Sequence, residues 1–500
     1  MSPRLGPILR IGLFVVGIAC PWPQPGYAQP AADAAGKVRR ANALVQAGQP
    51  EQAIPIYREL VAQFPNVTSL RVNLAVAQYK AGRYQEVSDA CQALVERQPE
   101  LFPAWLFLGA SRLKLGQAAS AIDPLRRALV LQPADQNARL MLADALLEQR
   151  QYTEAAAQYS EAARAMPDSP RAWYGLARSD EGAAGEILER LEKAQPGSVE
   201  GLALAADFEF AQGRMARALR QYREALALRP DFRGLHTAVA RIYEETGHPD
   251  WAVAERAREA QPGADCSGET PECAFLAGHA EAAAALPAGT PEQAYWQARA
   301  FQGLARGAYA RLEKLPASRE RAEAAANAYE SSGRYREAAA AWKEALELAR
   351  GDTEIQRRLA LALCHSNDCA TALPLIRDLL EREKSSAEFN YLYGLALVEI
   401  HDPEHAIQYL MNALQRDSKF QPVHGALGEA YLEAGRWELA IPQLEAALAD
   451  DDSGTRHYQL ARACQSAGMR ERAAAALREY RAILSRRETE DNNEPRITPP

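Results

Sequence analysis

Aromatic residues are scarce in this chain: Phe, Trp and Tyr together make up 7% of 500 residues. A core must therefore come mainly from small aliphatic side chains, and alanine dominates the 48% hydrophobic share. Positive charge is also in short supply. Fifty-seven Lys and Arg stand against 65 Asp and Glu, a formal net charge of −8. No basic excess exists to neutralise phosphates, so nucleic acid is excluded as a general partner. Beyond residue 28 no apolar run approaches the roughly 18 residues that a helical membrane span requires. The sequence also lacks a Gly-rich phosphate loop, a Gly-x-Ser-x-Gly elbow and a Cys-x-x-Cys-His haem motif. His401 and His405 flank Asp-Pro-Glu, but Pro403 between them removes the common helix face a metal pair needs. No catalytic residue, metal or other cofactor is expected.

What is present begins with an address. Residues 1–28 read as a secretory signal peptide, with Arg4 and Arg10 ahead of the short apolar stretch Ile11–Ala19. Pro21, Pro23 and Pro25 then precede Gly26-Tyr27-Ala28, which places cleavage before Gln29. A lipoprotein signal acylated at Cys20 fits less well, because Gly17 stands where a leucine is usual; an uncleaved anchor is the remaining alternative. Cleavage removes two arginines and no acid, taking the charge from −8 to −10. The expectation is an exported protein, periplasmic or secreted.

Export changes how cysteine is read. Cys266 and Cys273 enclose the turn-rich Ser-Gly-Glu-Thr-Pro-Glu, and a disulfide between them is expected. Closing so short a loop contributes about 2–3 kcal/mol on the chain-entropy estimate. His279 is near, but no further Cys or His completes a zinc set. Cys364 and Cys369 flank another turn, and their pairing is left open. Cys91 and Cys464 fall on helix faces as small buried residues.

The strongest pattern is repetition. Units start at residues 34, 68, 102, 136 and 170, then 199 and 233, and after an interruption at 319, 353, 387, 421 and about 454. Position 8 of each is Gly or Ala, from Ala41 and Ala75 through Gly109, Ala143 and Ala206 to Gly394, Gly428 and Ala461. Position 20 is Ala, or Val at Val87. Position 24 carries larger side chains such as Tyr57, Leu125, Tyr159, Tyr222, Trp342 and Leu410. Small residues allow two helices to approach within about 8–10 Å while larger ones fill the gaps. Glycines recur at the turn (Gly48, Gly82, Gly116, Gly213, Gly247, Gly333, Gly435, Gly468), and prolines close the earlier units at Pro65, Pro99, Pro133, Pro167, Pro196 and Pro230. In later units Arg350, Lys384, Ser418 and Asp452 replace that proline, so less sharp helix ends are expected there. Pro55, Pro374 and Pro442 share a place inside the second helix and are expected to be tolerated in it with slight bends.

This 34-residue period resembles the tetratricopeptide repeat family, whose unit is an antiparallel helix pair, A then B. The resemblance covers about 400 of the 500 residues. It implies an all-α fold, a right-handed α-α superhelix of about twelve helix-turn-helix repeats with an irregular helix pair in the middle. The expected layout is an N-terminal array over 34–266, an atypical joint over 267–318, a C-terminal array over 319–487 and a disordered tail over 488–500. The unit at Pro170 is about five residues short, which predicts a clipped turn. Within the joint, one helix is expected from Cys273 to Leu286 and a longer one from Pro291 to Leu315. That pair either continues the stack or joins two arrays.

In the family, five positions of helix A line a concave groove that takes peptides or helices. Carried onto this sequence, the resemblance implies that Tyr79, Leu106, Asp144, Tyr174, Arg178, Asp207, Phe210, Arg241, Glu320, Glu323, Asn327, Glu330 and Tyr391 contact a protein or peptide partner. Repeats that grip chaperone C-termini carry a basic clamp residue where Val38 stands, so that analogy is set aside. The expected function is a non-catalytic scaffold in a bacterial cell envelope. The alternative is an accessory subunit of polysaccharide export or outer-membrane assembly, contacting a glycan or its synthase.

Overall fold

The structure is a computed structural model and describes residues 28–259, 269–451, 453–492 and 497–499. Residues 1–27 of the expected signal peptide and Cys266 lie outside the described residues, and so does the expected bond from Cys266 to Cys273. Among the described residues there are 26 α-helices and no strand. Eleven antiparallel A–B hairpins, one short hairpin and two long unbroken helices account for all of them. The chain divides into two compact units, one formed by residues 1–185 and 301–311, the other by 186–300 and 312–500.

The small-residue columns lie where two helices meet. In the first unit Ala41, Ala75, Ala143, Ala53, Val87, Ala121 and Ala155 are all fully buried. Ala206, Ala240, Ala326, Ala360, Ala218, Ala338, Ala372 and Ala406 are equally buried in the second. Where position 8 is glycine, position 24 is leucine, and the reason is contact. A Cβ on Gly109, Gly394 or Gly428 would lie 2.5–2.6 Å from Cγ of Leu125, Leu410 or Leu444. Hydrogen at that position is required for the leucine to seat.

Where position 24 is tyrosine, a different device operates. The Tyr57, Tyr159 and Tyr222 rings are buried, and each hydroxyl needs a partner. Each donates to a residue fifteen places earlier in the same hairpin: Tyr57 to Asn42, Tyr159 to Asp144, and Tyr222 to Asp207 at 2.6 Å. Burial pushes the Tyr159 and Tyr222 hydroxyls far above their ordinary range, and the adjacent carboxylates add to the effect. These phenols stay protonated and act as donors.

The turns explain the glycines. Gly48, Gly82, Gly116, Gly213, Gly247, Gly333, Gly435 and Gly468 all have φ between 69° and 82°. At the same position in three other hairpins Arg150, Asn367 and His401 adopt φ of 56–60° without being glycine. Across one of those turns Cys364 and Cys369 form a disulfide. Helix starts are set by side-chain caps: Asp135, Ser198, Ser318, Asp352 and Ser386 accept from backbone N–H groups of the first turn. Of these five, only Asp352 and Ser386 follow helices that lack the closing proline, and Gln421 makes no side-chain cap, so Pro403–Arg416 keeps its length without either device. Tyr335–Leu348, Cys369–Arg382 and Pro403–Arg416 are each 14 residues, the same as Pro50–Gln63. The expected blurring occurs only after Trp437–Ala446, where a 3-10 turn, Leu448–Asp450, follows.

Three expectations need correction. Pro170–Ala194 is one 25-residue helix, with no clipped turn. The deletion removes the turn residue itself, and nothing between 170 and 194 takes a positive φ. Gly182 lies against the Tyr152 ring, where a Cβ would sit 2.3 Å away, so it serves close packing. Cys273 to Leu286 is two short helices, Pro271–Leu276 and Ala280–Ala285, parted at Gly278 with φ 80°. That glycine is the same turn device as elsewhere. The long helix runs as expected, Pro291–Glu313. Its Tyr295 and Trp296 are buried in the second unit, and its Tyr309 donates to Glu181 at 2.8 Å in the first. Finally, helix Arg470–Asn492 continues past Glu488, into the expected disordered tail, and residues 497–499 make hydrogen bonds described below.

Three substitutions test these contacts in urea melts of the full chain. Gly394→Ala gains about 1 kcal/mol of helix propensity. It is nevertheless expected to lose about 1–3 kcal/mol net by overpacking against Leu410. His401→Gly relieves a left-handed backbone and is expected to gain about 0.5–1 kcal/mol. Tyr222→Phe leaves a buried Asp207 oxygen without its donor and is expected to cost about 1–3 kcal/mol.

Candidate functional site

The A-helix residues that the resemblance assigns to a partner divide into those already engaged and those still available. In the first unit Tyr79 is half-buried between the rings of Tyr84 and Phe107, with centroids 5.3 and 5.5 Å away. Leu106 is only 2% exposed and belongs to the core with Ile122, Leu125 and Met141, so it offers no surface to a partner. Asp144 is held by Tyr159 and by Arg171 of the next repeat. Tyr174 is buried, and the exposed Arg178 lies over its ring at 5.7 Å.

The second unit repeats this division. Asp207 accepts from Tyr222, and its other oxygen faces Arg299 Nε at 3.6 Å. Arg299 is itself enclosed by the rings of Phe275, Tyr295 and Trp296. Phe210 lies under Arg241 at 4.8 Å, and Arg241 pairs with Glu245 at 3.1 Å. Glu323 is buried against Arg319, whose other contact is Asp352 at 3.1 Å. Burial pushes the Glu323 carboxyl up, and Arg319 opposes that shift. Asn327 accepts from Arg358 at 2.7 Å. Glu330 accepts from the Trp342 indole at 2.7 Å and lies 3.4 Å from Arg358. Arg358 therefore joins two groove residues and covers the Trp342 ring at 5.2 Å. Tyr391 meets Phe420 edge to face at 5.3 Å. Glu320 is half-buried and not salt-bridged among the described residues.

What remains open in the first unit is a row of exposed charges on successive A helices: Lys80, Lys114, Glu148 and Arg178. Lys80 and Lys114 are not salt-bridged among the described residues. Burial and the nearby Asp144 push the Glu148 carboxyl up, while Lys114 pulls it down. Among the described residues no group of three His, Cys, Asp or Glu side chains is placed to hold a metal ion. His401 instead faces Glu433 at 3.2 Å, and His405 faces its own helix cap, Asp402, at 2.8 Å.

One feature escaped the reading of helix A because it lies on helix B. A cleft of about 830 Å³ opens between Tyr335–Leu348 and Cys369–Arg382, floored by Leu346, Leu359, Leu363 and Leu375. Arg336, Lys343 and Arg350 edge one wall and are not salt-bridged among the described residues. Arg336 and Lys343, seven apart, share one face of helix Tyr335–Leu348, and Arg350 follows just beyond its end.

Comparison with known proteins agrees with the geometry. Tetratricopeptide repeat profiles match residues 44–108, 140–179, 358–422 and 397–464. The Hsp70-Hsp90 organizing protein of Triticum aestivum is 31% identical over 106 residues, which is 21% of this chain and 18% of that protein. The chain thus spans less than a fifth of that relative's length. Among solved structures, a tetratricopeptide repeat protein from Parabacteroides merdae aligns at 13% identity over 66% of this chain and 98% of its own, with a TM-score of 0.32. MamA from Desulfovibrio magneticus aligns at 18% identity over 33% of this chain and 95% of its own, with a TM-score of 0.29. Helix hairpins with buried Gly or Ala at their crossings, left-handed turns every 34 residues and the profile matches lead to one assignment: this chain is a tetratricopeptide repeat protein.

Proposed function

We propose that the chain is a non-catalytic scaffold that holds a protein or peptide partner on its A-helix faces, and that it works after export in a bacterial cell envelope. The observation that carries the first part is the row Lys80, Lys114, Glu148 and Arg178, exposed charges on consecutive repeats beside the aromatic rings of Tyr79 and Tyr174. Tyr174 is buried beneath Arg178, so the row offers a partner chiefly charge, which sets orientation and partner choice. Export is supported by the signal-like residues 1–28 and by the Cys364–Cys369 disulfide, a bond that persists mainly in oxidising compartments.

A photo-crosslinking residue at Arg178 or Lys114 is expected to capture a partner in whole cells, while one at the exposed Val130 of helix B is not. Capture only from Val130 would overturn the A-face assignment. Lys80→Glu with Lys114→Glu is expected to leave the circular-dichroism melt within about 0.5 kcal/mol, as surface changes usually do, while reducing that capture. For export, mass spectrometry of the envelope fraction is expected to find a chain starting at Gln29 with Cys364 joined to Cys369; an intact Met1 and free thiols would argue for another compartment.

A further inference from the structure

Arg223 has no salt bridge among the described residues, although it is half-buried on helix Met215–Leu228. Its donors are committed elsewhere. Nη2 lies 2.7 Å from the Tyr243 hydroxyl oxygen, 2.7 Å from the Thr498 carbonyl and 2.8 Å from the Pro499 carbonyl. Nη1 donates to the Thr498 hydroxyl. The Tyr243 hydroxyl, on helix Leu235–Glu245, donates to the same Thr498 carbonyl at 2.9 Å. An arginine and a tyrosine from adjacent repeats thus converge on two successive carbonyls and one hydroxyl of an extended segment.

This arrangement is a peptide-binding geometry. The Tyr243 ring is fully buried and braced edge to face by Trp251 at 5.5 Å, which fixes the hydroxyl in place. Tyr243 accepts from Arg223 and donates to the segment, so the two side chains orient each other. The guanidinium fork presents several donors in one plane, and successive carbonyls match it. A proline lacks an N–H and is biased to extended backbone, which leaves its carbonyls free for such donors and lowers the ordering cost. Among the described residues no side-chain carboxylate is salt-bridged to Arg223.

We infer that Arg223 and Tyr243 form a receptor for an extended hydroxyl-and-proline peptide segment, occupied in cis by residues 497–499 and available to a partner segment of the same chemistry when these are displaced. The site is separate from the A-helix charge row and does not depend on that reading. A tethered segment acts at an effective concentration on the order of 1 mM, so a free peptide with ~0.1 mM affinity is weakened about tenfold by the resident one.

The test uses a fluorescein-labelled peptide of residues 494–500, Glu-Pro-Arg-Ile-Thr-Pro-Pro, titrated by anisotropy against the full chain. A second protein carries Thr498→Lys and Pro499→Lys, whose charges repel Arg223. About tenfold tighter binding to this variant than to the unaltered chain is expected, and adding Arg223→Ala should abolish it. Arg223→Lys keeps the charge without the fork and is expected to restore little of the binding. Equal affinity for the first two proteins, no binding to the Lys variant, or indifference to Arg223→Ala with an unchanged melting curve would each overturn the inference. Concentration-dependent dimers in light scattering that vanish in the Lys variant would overturn the cis arrangement.

Discussion

The close approach of helices at two columns of small residues is the constraint from which the remaining features follow. With alanine or glycine at positions 8 and 20, the gap between helices is too narrow for bulk at the crossing. Larger groups are displaced to position 24. If that group is leucine, its branched end takes the space of a missing Cβ, as at Gly109, Gly394 and Gly428. If it is tyrosine, the ring fits beside alanine, but its hydroxyl is carried into the interior and must find an acceptor. Asn42, Asp144 and Asp207 supply it. Packing at one position thereby dictates polarity at another.

That coupling bears on recognition. Position 9 is among those the family uses to face a ligand, yet in three hairpins it is spent on an internal tyrosine. Glu323, Asn327 and Glu330 are likewise tied to arginines or to the Trp342 indole. The acidity of the middle of the chain is therefore largely answered within the fold. Charges that make no salt bridge among the described residues are of both signs: Lys80, Lys114, Arg336, Lys343 and Arg350, but also Glu148, Glu320 and, lining the B-helix cleft, Glu347.

The repeat fold was legible in the sequence because its signals are redundant. Spacing, small-residue columns and turn glycines all report the same hairpin, so local and global preferences agree. Departures from the rhythm were legible as positions but not as shapes. A five-residue deletion near Ser179 could shorten a turn or erase it, and only the loss of the left-handed residue decides that it is erased. Gly278 sits in an alanine-rich stretch where propensity reads helix, yet it takes the same left-handed turn as the other hairpin glycines. Arg150 carries no sequence mark of a left-handed turn except its column, whereas Asn367 and His401 are of residue types enriched there. The groove residues were the least legible. Leu106 and Lys114 occupy the same helix, and pattern alone does not tell which of them faces a neighbour and which faces water. The pairs of Tyr57 with Asn42, Tyr159 with Asp144 and Tyr222 with Asp207 recur fifteen residues apart, a spacing visible only when positions 9 and 24 are read together.

Because both members of each such pair lie within one hairpin, the pair travels intact whenever a whole A–B unit is copied or deleted. A genetic breakpoint between hairpins preserves every internal donor and acceptor, whereas one inside the left-handed turn would separate Asp207 from Tyr222 and strand a polar atom in the interior. Lengthening or shortening this array by recombination is thus cheap at one phase of the 34-residue period and costly at the other, and the missing residues of the Pro170 unit fall at the costly phase, where the chain survives by becoming a single helix.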